Sequence, residues 1–197
     1  MAVTTTVAPV PREYDEDKFT EMVLYCAQLL EADRFGGATK LNKVLYFADF
    51  AHIRKTGASI SGAEYQKLPN GPAPRRLVPV RRRLVEDRRA ELLEEFDALG
   101  YQHHRLRARN EPDLSVFAAD EVATIDGVAN ELRSLTGSQV SDLAHEEPGW
   151  KLVAHGETIP HSTAYLAADA QVPDHLRETV QQRAAELAAE HGHRATR

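Results

Sequence analysis

Cysteine is nearly missing from this chain. Cys26 stands alone among 197 residues, which excludes an intrachain disulfide framework and fits a reducing cytoplasm. Long apolar runs are missing too. None reaches the roughly 18 residues of a membrane span, so no membrane partner is expected. The opening MAVTTTVAPVPRE has neither a basic n-region nor a long apolar stretch, so a secretory signal is not expected there. It reads as a disordered Thr/Pro arm over residues 1–13. Positive charge is not in excess either: 24 Lys and Arg against 30 Asp and Glu leave a net charge of −6, and bulk charge gives no reason to expect a nucleic-acid partner. The chain has no G-x-G-x-x-G, Walker loop or G-x-S-x-G, so nucleotide binding and serine hydrolysis lack motif support. Nine histidines occur, but never as H-x-x-x-H or H-E-x-x-H. His103 and His104 are adjacent on an expected strand and point to opposite faces. Neither a metal nor another cofactor is expected.

What is present is a globular composition, 42% hydrophobic and 27% charged, in a chain long enough to bury a core. Phe19, Met22, Val23, Cys26, Leu29 and Leu30 recur at helical spacing and predict a helix from about Asp15 to Leu30. A second helix is expected over KLNKVLYFADFAHIRKTG, residues 40–57, with Thr39 as N-cap and Gly57 as its stop. Leu41, Val44, Leu45, Ala48 and His52 make one face, and Tyr46, Phe47, Phe50 and Ile53 cover much of the rest. A helix apolar nearly all round belongs at the centre of a domain.

Ala63 to Leu68 read as a short strand. PNGPAP, residues 69–74, has three prolines and a glycine in six positions, which predicts a stiff corner and a pre-ordered contact edge. Pro74 suits the first position of a following helix, with Pro79 kinking that helix or delaying its start. Leu77, Val80, Leu84 and Val85 are expected to face inward. Glu91 to Phe96 and Tyr101 to Arg107 read as strands around Ala98-Leu99-Gly100. Further helices are expected from Asp120 to about Leu135 and from Ser138 to His145, ended by Pro148-Gly149. Trp150 to Val153 and Ala164 to Leu166 read as short elements, and Pro173 to Glu190 as a polar terminal helix. The fold class is α+β, predominantly helical, with a small antiparallel sheet.

Asp49 and His52 lie three apart on the greasy helix and are neighbours on its surface. Two readings are open. A carboxylate orienting an imidazole is the beginning of acid–base chemistry, with His145 a third candidate; alternatively both are buried polar groups satisfied internally. Arg75, Arg76, Arg81, Arg82, Arg83, Arg88 and Arg89 form a basic cluster. It reads as a solvated helix face or as a surface for an acidic protein partner. Nucleic acid fits less well, because no aromatic residues interleave.

Together these stretches resemble one family. Lys40-Leu41-x-Lys43 through Tyr46 and Asp49, His52, Thr56-Gly57, Gly62-Ala63-x-Tyr65, Lys67 and Gly71-Pro72-x-Pro74 resemble the signature of the Panacea domain, the SocA-like antitoxins of bacterial and phage toxin–antitoxin pairs. Ser141 to His145 with Trp150, and Gly156-x-x-Ile159-Pro160, resemble its later blocks. The likeness spans residues 15–168, with a domain over 14–168 and a C-terminal helix and tail over 169–197. It implies a mostly helical domain without catalysis or cofactor. It also implies a partner: a toxin encoded beside it, of a class such as alarmone-synthetase-like enzymes. Some members act instead as adaptors that pass the toxin to a protease. On this reading Lys40, Asp49, His52, Tyr65, Lys67, Gly71, Pro72, Pro74, His145 and Trp150 are structural anchors and family motif. Arg75, Arg76, Arg82, Arg83 and Arg89 are the candidates for partner contact.

Overall fold

The helix α2, Ala38–Thr56, runs through the middle of the chain's core, as its sequence predicts. It packs against α1 (Glu16–Glu31), α4 (Ala119–Leu132), α5 (Gly137–His145) and the strand β2 (Gly71–Pro74). The computed structural model describes residues 12–96, 102–166 and Gln182. The first eleven residues of the arm, the turn at Ala98-Leu99-Gly100 with Tyr101, and the terminal helix from Pro173 fall outside the described residues.

α1 begins where Asp15 caps it, its carboxylate accepting from the Lys18 N–H at 2.9 Å. The start of α2 differs from expectation. Thr39 lies inside the helix, and Gly37 is the N-cap in extended conformation. The reason is crowding just upstream: a Cβ on Gly36 would lie 2.4 Å from the Leu30 carbonyl, so the chain turns there and α2 starts at once. Its end is as expected, with Gly57 left-handed at φ 89°.

β1 (Tyr65–Leu68) sits between β2 and β5 (Thr158–Ile159) in an antiparallel sheet. The stiff corner at 69–74 is therefore half strand, a correction that register explains. The Arg75 N–H bonds the Glu64 carbonyl, and Tyr65 faces Pro74 while Lys67 faces Pro72. Alternation then places Pro72 and Pro74 at the positions whose N–H would point away from β1. On this edge strand the missing donors cost the sheet nothing. Pro74 thus ends a strand and does not open a helix. α3 (Leu77–Glu86) starts later, and Pro79 falls in its first turn, where an N–H has no helical partner. Leu77, Val80 and Leu84 face inward as predicted, but Val85 is exposed.

β3 (Ala90–Phe96) and β4 (Gln102–Ala108) form a separate hairpin. It is tied to α1 by Arg105, which donates to the Leu30 and Asp33 carbonyls at 3.1 Å each. α5 opens on Thr136, whose side chain accepts from the Gln139 N–H. Pro148 does not only end α5: it opens α6, Pro148–Leu152. The strand β5 was not apparent in the sequence, because two residues carry no period to read. The architecture is a helical α+β domain with small antiparallel sheets.

Candidate functional site

Four polar residues of α2, Lys40, Lys43, Asp49 and His52, are buried in the protein. Asp49 is wholly buried. One carboxylate oxygen accepts from the Ile60 N–H at 2.7 Å and the other from the Tyr65 hydroxyl at 2.6 Å. The same hydroxyl lies 2.8 Å from the Leu45 carbonyl. Asp49 thus ties the loop after α2 and the strand β1 to the helix. Burial pushes its pKa up, against the pull of Tyr65 and the backbone donors.

His52 is buried too, but no hydrogen bond joins it to Asp49, and its Nδ1 has no partner among the described residues. Burial lowers its pKa, opposed first by Glu121 and Asp120 at the start of α4. The ring is therefore held toward its neutral form.

His145 is elsewhere. Its Nε2 lies 3.1 Å from the Pro69 carbonyl, and its ring stacks on Trp150 at 4.2 Å. Trp150 donates from its indole to the Leu68 carbonyl at 3.2 Å. Lys67 lies over the other aromatic partner of this group, 4.2 Å from the Trp150 ring, with its Nζ 3.0 Å from the Val153 carbonyl. These contacts clamp the hairpin turn onto α5 and α6. Asp49, His52 and His145 are not joined as a triad among the described residues: Asp49 is bonded to Ile60 and Tyr65, and His145 to Pro69.

Two lysines complete the interior. Lys40 is fully buried against Asp33 at 2.6 Å and the Arg133 carbonyl at 3.0 Å. Lys43, 2% exposed, reaches the Pro72 carbonyl at 3.2 Å. Burial lowers its pKa to about 8. Gly71 has φ 99°, and a Cβ there would come within 2.7 Å of the Lys43 chain. This explains the glycine: only hydrogen leaves room for the lysine stem. Lys43 was in the motif but not among the residues singled out. The signal that marked it was a lysine three positions from Lys40 on a helix with no polar face. Asp33, the partner of Lys40, had no such signal, because nothing local shows that a loop carboxylate folds back onto the next helix.

The arginines divide into two sets. Arg75 is held inside the sheet by Thr158 at 3.0 Å, Gln66 at 3.1 Å and the Gly156 carbonyl at 2.7 Å. Arg89 forms a two-pronged pair with Glu21 at 2.9 and 2.8 Å. Arg76, Arg82 and Arg83 are exposed on or beside α3. Arg83 meets Glu16 at 2.5 Å, and Arg76 lies 5.9 Å from the Tyr14 ring. Among the described residues no three His, Cys, Asp or Glu side chains are grouped so as to hold a metal ion, and no helix is long and apolar enough to cross a membrane.

Buried polar contacts thus brace α2, while Arg76, Arg82 and Arg83 lie exposed on or beside α3. Residues 41–151 match the model described as antitoxin SocA-like, Panacea domain. The match covers more than half of the chain, and the chain belongs to this family. No curated protein and no solved structure matches it significantly. The family supports an antitoxin role and implies a toxin as partner.

Proposed function

We propose that this protein neutralises a toxin encoded beside it by direct protein–protein contact in the cytoplasm, without catalysis of its own. The family match over residues 41–151 carries the reading. The division of the polar residues supports it. Asp49, Lys40 and Lys43 serve the fold, while Arg76, Arg82 and Arg83 are left at the surface. The contact face is that of α3, with Arg75 and Arg89 bracing its two ends from within. Arginine suits this task, since its planar fork meets carboxylates with directional bonds.

The test is co-expression of the neighbouring reading frame with and without this protein. Growth should be rescued, and the two products should co-purify at an undiminished toxin level. Rescue with a falling toxin level would instead support delivery to a protease. Turnover of a substrate by the purified protein alone would overturn the reading.

A further inference from the structure

A cleft of about 160 Å3 opens on the α3 face, lined by Tyr14, Glu16, Arg76, Pro79, Val80 and Arg83. Three features give it a chemistry. First, Arg83 already holds a carboxylate there, that of Glu16, and the two side chains are 60% and 46% exposed. A pair so open to water is weakly held and exchanges readily. Second, Arg76 contributes another guanidinium, which lies over the Tyr14 ring at 5.9 Å from its centre. Third, the Tyr14 hydroxyl is shielded and has no hydrogen-bond partner among the described residues. Burial, then Glu16, pushes its pKa up to about 12, so it keeps its proton at neutral pH and remains a donor. Buried donors normally find partners; this one has none among the described residues.

We infer that this cleft is the socket for an Asp or Glu side chain of the protein partner, which displaces Glu16 from Arg83 and is bracketed by Arg76 and the Tyr14 hydroxyl. The inference rests on the binding function proposed above and names the chemistry of its contact. Glu16 acts as the resident stand-in, and its bond to Arg83 shows the geometry the site accepts. Pro79 and Val80 supply an apolar wall for the methylene stem of the incoming residue. A nucleic-acid phosphate fits less well, because the chain carries net charge −6 and α3 offers no aromatic face on which a base would stack.

The test uses the full chain and two ligands. Capped tetraglutamate is titrated against wild type, Glu16→Gln, Tyr14→Phe and Arg76→Ala by NMR, with melting temperatures measured alongside. Saturable shifts at Tyr14, Arg76 and Arg83 are expected. Glu16→Gln should bind severalfold more tightly, because the competing carboxylate is gone. Tyr14→Phe and Arg76→Ala should each bind about tenfold more weakly, the weight of one charge-assisted bond. A purely structural pair predicts no gain from Glu16→Gln, and equal binding by all four proteins overturns the socket. So does inorganic phosphate occupying the cleft while tetraglutamate leaves it unmoved. The same variants are then measured against the product of the neighbouring reading frame. The same rank order supports both proposals. A neighbour that binds all variants equally removes the socket but keeps the antitoxin function. A peptide that binds while the neighbour does not removes that function and keeps the socket.

Discussion

Lys40 and Lys43 on α2, and Arg76, Arg82 and Arg83 on or beside α3, are cations of one domain in opposite settings. The lysines are buried, and each has assigned partners: Asp33 and the Arg133 carbonyl for one, the Pro72 carbonyl for the other. The arginines are exposed, and the contacts they make are open to solvent. Water decides the difference. An interior charge loses its hydration and must be met by fixed groups, whereas a surface charge keeps its hydration and can change partner at little cost. The interior set therefore fixes one conformation, and the surface set stays available.

Four variants would break or sharpen this contrast, and the largest effect belongs to Asp49. Asp49→Ala leaves the Ile60 N–H buried without its acceptor and takes one partner from Tyr65. The expected loss is about 3 kcal/mol, read by urea denaturation. A variant as stable as wild type would mean that Asp49 is not a brace. Lys43 comes next. An amine whose pKa falls on folding binds fewer protons folded than unfolded between about 8 and 10.5. Stability therefore rises with pH across that window. Below it the buried charge costs about 3 kcal/mol. Lys43→Met should remove this rise, seen as a flatter stability curve from pH 8 to 10.5 than the wild type's; parallel curves would show that the amine is not held as described. Gly71→Ala should cost about 1–3 kcal/mol, since it adds both a strained φ and a collision with Lys43. Pairing it with Lys43→Ala, which removes the colliding Cε and Nζ, should recover the part due to collision. Smallest in stability is the double reversal of Arg82 and Arg83 to Glu, expected within about 0.5 kcal/mol of wild type. That variant should nonetheless bind the neighbouring gene product much more weakly. Undiminished affinity would take α3 out of the contact.

The legible and illegible parts of the site divide along similar lines. α2 was readable because nineteen residues give several turns of period, with Gly57 as a clear stop. Asp49 stood out because a carboxylate on an all-apolar helix has to be explained. Its partners did not stand out, since Ile60 contributes only a backbone N–H, which every non-proline residue has. The prolines of 69–74 announced rigidity but concealed a strand, because edge position and register decide whether a missing N–H matters. His145 looked like a third catalytic candidate until its stacking on Trp150 placed it at the hairpin turn.

Sequence alone determined α1, the stop and central place of α2, and the family motif. Periodicity, glycine stops and apolar patterning are local properties that survive without any neighbour. Tertiary structure alone decided which charges are interior and which lie at the surface. The Arg75 clamp, the Lys40 pair with Asp33 and the cleft between α1 and α3 all join groups whose encounter depends on how the elements pack. Arginines adjacent in sequence, Arg75 and Arg76, consequently serve different ends: the first closes a sheet, while the second faces water beside Tyr14.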